Sequence, residues 1–563
     1  MRILRRLLAV LVKADDTKAG NKAAAPPAVR TRLFPMGHLV RAAEERPLIP
    51  VLMALLLVLV SALVIASYRP LPLGAGSVVA ILLLVLFVLG TVFVYTVYTQ
   101  SLEIRPAVFA KKLYLVGTVI LLGLLLNRFL LIILLSLSQS FPFIPLHSFY
   151  YTIPVALGPV LLTVLFNARV AFGGAVALSL LTSLLVTDEV TFLLFELVGA
   201  IVGAFCIRRI HDRATFFKAG FWVAVANVFA VLVMRPIYGW SASALPYDVA
   251  ACFINGVLVA LFGSTLLPVL EYLFGTATDL KLLELSNLNQ PLLRQLMKTA
   301  PGTHHHSLTM GELAEAAAEA IGANALLCRV GAYYHDIGKV KKPAYFIENQ
   351  MDAMNRHDKL SPSLSSLIVI SHVKDGIEMA LEHNLPPAIV DLIPQHHGTR
   401  LVTYFYEKAR ESHDPDLGEV KEEDYRYPGP KPQTREAAIL MLADAVDASA
   451  RTLTDPTPAR IQGLVQRIVN SIFTEGQLSE CDLTLKDLHQ IAKAFVRVLT
   501  ASHHHRVDYP GYRFEEVKRR EGEKEKKDND DTGPIPAKEE ADRAVAAKKG
   551  GGENIARLGQ TET

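Results

Sequence analysis

Apolar and polar positions divide this chain in two. Up to about residue 275 the sequence is dominated by long apolar runs; beyond it, apolar residues recur at helical spacing in a polar background. Eight apolar segments fall at roughly 49–67, 75–98, 113–137, 150–167, 170–187, 190–207, 215–234 and 248–270. A helix needs about 20 residues to cross the hydrocarbon core, so most qualify, the fourth to sixth being marginal. Such density argues against buried helices of a large soluble protein. The loops after the second, fourth and sixth segments carry Arg105, Lys111 and Lys112, then Arg169, then Arg208, Arg209 and Arg213. The intervening loops offer Arg69 alone, no basic residue, Asp188 with Glu189, and Arg235. The alternation predicts that both termini are cytoplasmic. Arg128 and Glu196 lie inside apolar segments, where a charge costs about 2.5–3.5 kcal/mol on insertion scales. Each is expected to face the bundle interior, as part of a sensing cavity or as an interhelical contact, or else to lie nearer the interface than these segment bounds place it.

Composition refines this division. Residues 1–47 are basic, and their first dozen suit a short amphipathic helix lying on a membrane. A cleaved signal fits less well, because Leu7–Val12 is short and no clear cleavage site follows. The expected domains are a basic segment 1–47, a transmembrane domain 48–274, a soluble domain with its connector 275–514, and a charged, disordered tail 515–563. A net charge of +3 over 563 residues gives no reason to expect a nucleic-acid polymer as partner. The four cysteines are scattered without a CxxC, so neither a disulfide framework nor a thiolate zinc site is indicated.

Fourteen of the seventeen histidines lie after residue 300. Any metal there must use imidazole and carboxylate ligands. Thr278–Thr299 reads as an amphipathic connector. A helix from about Pro301 to Ile321, stopped by Gly322, is followed by a second over Ala325–Ile337, with Gly338 marking its end. As an antiparallel hairpin these two bring His306 and the His335-Asp336 pair to one end. Further candidates are His372 in the helix Ser363–His383, His396 and His397 at the end of Pro387–His397, and Asp444 within Thr434–Thr452. A buried, unpaired Asp444 wants a cation, whereas Asp447 and Arg451, four apart, can satisfy each other. More than four candidate ligands implies two ions, with Asp336 placed to bridge them. Such ligands suit manganese, iron or zinc.

These stretches run in the order of a known family. TDLKLLELSNLNQPLLRQL, PGTHHHS, IGANALLCRVGAYYHDIGK, ENQ, HDKLSP, SHVKDG, QHHGT, LADAVDASAR and HHRVDYP, over about 279–510, resemble the seven-transmembrane HD-domain phosphodiesterases of the PgpH type. The resemblance implies an all-α protein: a polytopic transmembrane helical domain followed by a cytoplasmic HD-superfamily domain, in the bacterial cytoplasmic membrane. It implies hydrolysis of cyclic di-AMP to pApA by two divalent ions, manganese or iron first, that stabilise the attacking and leaving oxygens. The implied ligands are His306, His335, Asp336, His372, His396, His397 and Asp444. His304 stands where the family usually has an aromatic residue, which leaves His305 and His306 as alternatives.

The family's extracellular domain has only Tyr68–Gly74 in its usual place. Lys339 is a candidate catalytic and phosphate contact beside His335 and Asp336. Arg400 and Tyr404 are substrate candidates, for phosphate and for stacking on adenine, with core packing expected for at least two of Tyr404, Phe405 and Tyr406. His503–His505 is expected to be structural. Cyclic di-GMP is the alternative substrate, although HHGTRLVTYFY lacks the Gly-Tyr-Pro signature of enzymes for that nucleotide; a non-hydrolytic nucleotide receptor is the alternative of another class. The bilayer is an expected partner, and a homodimer is left open.

Overall fold

The computed structural model describes residues 48–66, 85, 90, 106–186, 190–210, 212–238, 242–350, 355–412, 419–453 and 456–502. The segment 1–47, all but two positions of the second apolar segment, Tyr68–Gly74, Arg105, Asp188, Glu189, His503–His505 and the tail 515–563 lie outside the described residues. The described residues are nearly all helical and contain no β-strand; Leu401 and Arg426 form an isolated bridge.

The membrane half comprises α1 (Leu48–Ala66), α2 (Pro106–Ser140), α3 (Leu146–Tyr150), α4 (Leu157–Leu165), α5 (Ala168–Val186), α6 (Val190–Cys206), α7 (Ala214–Tyr238) and α8 (Leu245–Phe274). Among the described residues, four stretches are long and apolar enough to cross a membrane: Lys112–Ser140, Ala168–Val186, Ala214–Pro236 and Ala242–Phe274. The apolar segment expected at 150–167 is instead broken, with Tyr151–Ala156 non-helical between α3 and α4. Pro154 explains the break, because it lacks an N–H and pushes Ile153 out of the helical region. Asn255 on α8 repairs part of the loss, its Nδ2 donating to the Tyr151 carbonyl at 3.0 Å and the Ile153 carbonyl at 2.7 Å. The broken stretch is wholly buried in protein, the condition under which irregular backbone is tolerated at membrane depth. Among the charged residues of these helices, Asp248 takes hydrogen bonds from Arg235 at 3.2 Å and Ser148 at 2.5 Å. Arg128 donates to the Val64 carbonyl.

The connector begins within four residues of α8. Gly275 adopts φ 57°, the left-handed conformation that closes a helix at glycine. Thr278 caps α9 (Asp279–Leu285) by accepting from the Lys281 N–H, and its hydroxyl also donates to Glu271 on α8. Arg213, in the loop between α6 and α7, pairs with Glu284 of α9 at 2.8 Å.

The soluble half continues through α10 (Pro291–Thr299), α11 (Pro301–Ile321), α12 (Ala325–Tyr334), α13 (Pro362–Glu382), α14 (Pro387–Val390), α15 (Leu392–Gln395), α16 (Thr403–Glu411), α17 (Arg435–Ala450), α18 (Pro458–Thr474) and α19 (Leu485–Ser502). Gly322, at φ 67°, stops α11, and Asn324 caps α12. One core gathers Leu313, Ala332, Leu440, Ile461 and Phe495; another gathers Leu282, Leu296, Tyr334, Ile337 and Ile389. Helix α12 contributes to both, so the residues at its C-terminal end are held from two sides. Tyr334 adds a polar tie, its hydroxyl donating to the Leu285 carbonyl of α9 at 3.1 Å.

Two helices differ from the sequence expectation. Helix α12 ends at Tyr334, with a 3₁₀ turn over Ile337–Lys341 after it. Gly338 is not its stop: a Cβ there would lie 1.9 Å from the His372 carbonyl oxygen, so this glycine permits the turn to touch α13. The helix expected over Pro387–His397 divides into α14 and α15, because Pro394 has no N–H to offer the Val390 carbonyl.

Candidate metal centre

The α11–α12 hairpin brings the rings of His306 and His335 to 5.3 Å between centroids. His372 arrives from the middle of α13, and its ring lies 5.7 Å from that of His396, which follows α15. Asp336 sits among them, 1% exposed. Its Oδ2 is 3.1 Å from His335 Nε2, while its Oδ1 is 3.3 Å from His372 Nε2 and 3.7 Å from His396 Nε2. Asp444 approaches from α17, with Oδ1 3.0 Å from His306 Nε2 and Oδ2 3.7 Å from His397 Nδ1. Two groups result, His306–His335–Asp336 and Asp336–His372–His396–His397. In each group one ligand atom per residue lies within 4.8 Å of all the others. Asp336 belongs to both.

The local backbone fixes which imidazole nitrogen faces inward. Nδ1 of His335, His372 and His396 each donates to the carbonyl three residues earlier, on Ala332, Val369 and Ile393, at 2.6, 2.6 and 2.5 Å. A donating Nδ1–H leaves a lone pair on Nε2, the tautomer a metal requires. The three Nε2 atoms and Asp336 Oδ1 are buried without hydrogen-bond partners. Leaving a buried acceptor unpaired costs about 1–3 kcal/mol, so converging lone pairs without donors fit a divalent cation. His306 is held differently: its Nδ1 is 2.6 Å from Asp447 Oδ2, and Arg451 Nε donates to the same carboxylate oxygen at 3.0 Å.

Charge agrees with this donor set. Burial, then the neighbouring imidazoles, pushes His396 down to about 3 and His397 well below the usual range; burial also lowers His372. All three are therefore neutral at physiological pH and ready to ligate. Burial would lower His306 too, but Asp444 and Asp447 override it and raise this imidazole to about 9. Burial opposes ionisation of Asp336, yet the neighbouring His335 imidazole and the Lys339 ammonium hold it well below the ordinary carboxylate range.

The structure sorts the remaining sequence candidates. His306 enters the cluster, whereas His305 is exposed. Lys339 is not a solvated lysine: its Nζ is 2.7 Å from Asp336 Oδ2 and 2.9 Å from Glu348 Oε1. Arg400 donates to Glu475 at 3.2 Å, and Tyr404 is 64% exposed. Phe405 is buried against His357, and Tyr406 packs near Tyr425. Three participants escape sequence reasoning. Asp447 serves His306 as well as Arg451. Glu348 holds Lys339 and also accepts from Thr303 at 2.9 Å. Tyr427 stacks on His397 with ring centroids 4.2 Å apart. Glu348 left a trace as the first residue of the ENQ run, and Asp447 only as the partner of Arg451.

A membrane helical half joined to a helical domain with a buried His/Asp cluster defines a class, and family comparison agrees. Residues 76–278 match the family described as 7TM receptor with intracellular HD hydrolase, and residues 303–449 match the HD domain. The chain belongs to this family. Among curated proteins, the cyclic-di-AMP phosphodiesterase PgpH of Bacillus subtilis is 41% identical over 391 residues, 68% of this chain and 54% of that protein. The protein of the same name from Listeria monocytogenes is 36% identical over 429 residues, 76% of this chain and 58% of that one. The chain thus spans somewhat more than half the length of these relatives. The crystal structure of the L. monocytogenes PgpH HD domain in complex with cyclic-di-AMP is 48% identical. It matches 39% of this chain and 100% of its own, with a TM-score of 0.37.

Proposed function

We propose that the protein is a membrane-bound, metal-dependent phosphodiesterase that opens cyclic di-AMP to linear pApA. The observation that carries this reading is the sharing of Asp336 between two ligand groups, one facing each of its oxygens. The names of the curated relatives supply the substrate. On this reading two divalent ions, manganese or iron, are held by His306, His335, Asp336 and Asp444 on one side and by Asp336, His372, His396 and His397 on the other. Bound there, they supply Lewis-acid polarisation of a phosphoryl oxygen and an acidified water.

The chain's own residues do the rest. The Nδ1 bonds to backbone carbonyls aim each imidazole before substrate arrives. Asp447 orients His306, with Arg451 balancing its charge. Lys339, steadied by Glu348, places a positive charge beside Asp336 where phosphoryl charge develops. The buried walls exclude bulk water, which strengthens each of these interactions. The hydrolase domain over 275–514 and both termini lie in the cytoplasm, and residues 48–274 form the membrane domain.

Purified full-length protein tests the reading. Asp336→Ala is expected to lose both ions by elemental analysis and to abolish turnover of cyclic di-AMP. His372→Ala, His396→Ala and His397→Ala are expected to weaken one ion, keep the other measurable, and still lose most turnover. A full-rate Asp336→Ala enzyme would overturn the site. Normal metal content with turnover of cyclic di-GMP alone, or of no cyclic dinucleotide, would overturn the substrate.

A further inference from the structure

The membrane half contains a carboxyl group whose charge no described residue answers. Glu196 stands midway along α6, 3% exposed, and neither carboxylate oxygen has a hydrogen-bond partner. The contrast with Asp248 is instructive: that residue is also fully buried, but Arg235 and Ser148 meet both of its oxygens. Arg128 is committed to the Val64 carbonyl. An ionised group in the bilayer interior without a counter-charge is expensive, and such residues mark ion pathways or binding sites.

The surroundings of Glu196 add acceptors. Gly199, Ala200 and Gly203 lie on the same buried face of α6. Asn227 of α7 packs its side-chain amide onto Gly199, where a Cβ would meet Asn227 Oδ1 at 2.4 Å. Asn227 is 2% exposed, and its Oδ1 is itself unpartnered. Phe195, next to Glu196, lies 4.5 Å from the ring of Tyr151, where the break between α3 and α4 begins. Asn255 bonds to that broken backbone through its amide nitrogen, which leaves its Oδ1 also buried and unpartnered. Glu196 and Gly199, against which Asn227 Oδ1 packs, thus lie one turn apart on a buried face of α6 beside an interrupted helix, and the unpartnered atoms of Glu196, Asn227 and Asn255 are all oxygens. Interrupted helices near the middle of a membrane are where small cations are coordinated in transport proteins.

We propose that Glu196, with Asn227 Oδ1, binds a monovalent alkali cation within the membrane domain. Oxygen ligands select a hard ion. A single carboxylate balances one positive charge, whereas a divalent ion would leave an unpaid charge in a low-dielectric site. This site is separate from the His/Asp cluster, and the inference does not depend on the hydrolytic reading.

Thermal unfolding of the full chain in lipid nanodiscs tests it, with sodium, potassium or choline chloride at constant ionic strength and pH 8. The expected result is a saturable upward shift of roughly 2–4 °C with sodium or potassium and none with choline, as binding to the folded state alone requires. Glu196→Gln, which keeps the side-chain shape and removes the charge, is expected to abolish the alkali dependence. Asn227→Ala is expected to move the response to higher cation concentration. Equal behaviour of the wild type in choline and alkali salts would overturn the proposal even if neither variant folds. A wild type whose stability depends on pH but not on cation would overturn it as well, because Glu196 would then hold only a proton.

Discussion

At the scale of single residues, His306 differs from the other imidazoles of the cluster because it lies between two carboxylates. Although burial opposes a charge there, Asp444 and Asp447 raise it to about 9 from an ordinary 6.5, so the metal-free protein carries a proton on it at neutral pH. In that state the ion pair stabilises the fold fully below about pH 6.5, and the contribution fades as pH climbs through about 9. A metal must displace this proton, so apparent affinity is expected to rise about tenfold per pH unit between 7 and 9 and then level off. Isothermal titration of manganese in two buffers of different ionisation enthalpy would register about one extra proton released at pH 7.5, and Asp447→Asn should diminish it. The meeting of His306 with His335 was legible in the sequence, from the equal arms of a hairpin closed at Gly322. The role of Asp447 was not. The i,i+4 rule assigned it to Arg451, and that pair does form, but a carboxylate has two oxygens and several lone pairs. Spacing names one partner and is silent about a second from another helix. Tyr427 was hidden for a different reason: it reaches His397 from an irregular stretch with no period to read.

At the scale of elements, glycine and proline decide where helices stop, break and touch. Hydrophobic period located the helices that carry the candidate ligands, which present apolar faces to one or both of two cores, whereas α16, α18 and α19 had no counterpart in that reading. The ends were less legible. His335 and Asp336 looked like the final turn of a helix stopped by Gly338; they stand just beyond it, where the chain turns toward α13. Gly338→Ala is expected to force the 3₁₀ turn away from the His372 carbonyl, which a Cβ would meet at 1.9 Å. A cost of about 1–3 kcal/mol is typical of such overpacking. The check is thermal unfolding with metal analysis: a lower Tm together with reduced metal content, whereas an unchanged Tm would mean that the turn has room to spare. In the membrane half, hydropathy saw one segment at 150–167 where the structure has α3, a break and α4. A window average cannot register Pro154, because the residues around it are as apolar as those of a span.

At the scale of the whole molecule, the alternation of basic loops argues that both ends of the chain share one side of the membrane. Reporter fusions at Met1 and Thr563 are expected to report the cytoplasm together; opposite sides would mean that the number of crossings is odd. The junction between the halves has a mechanical consequence. Helix α8 closes at Gly275, Thr278 already caps the next helix, and the Thr278 hydroxyl reaches back to Glu271. Such a hinge has almost no slack. A rotation or tilt of the last span would therefore be passed to α9, whose Leu285 carbonyl accepts from Tyr334, the residue before His335. Such a motion would arrive one residue from the His335–Asp336 pair.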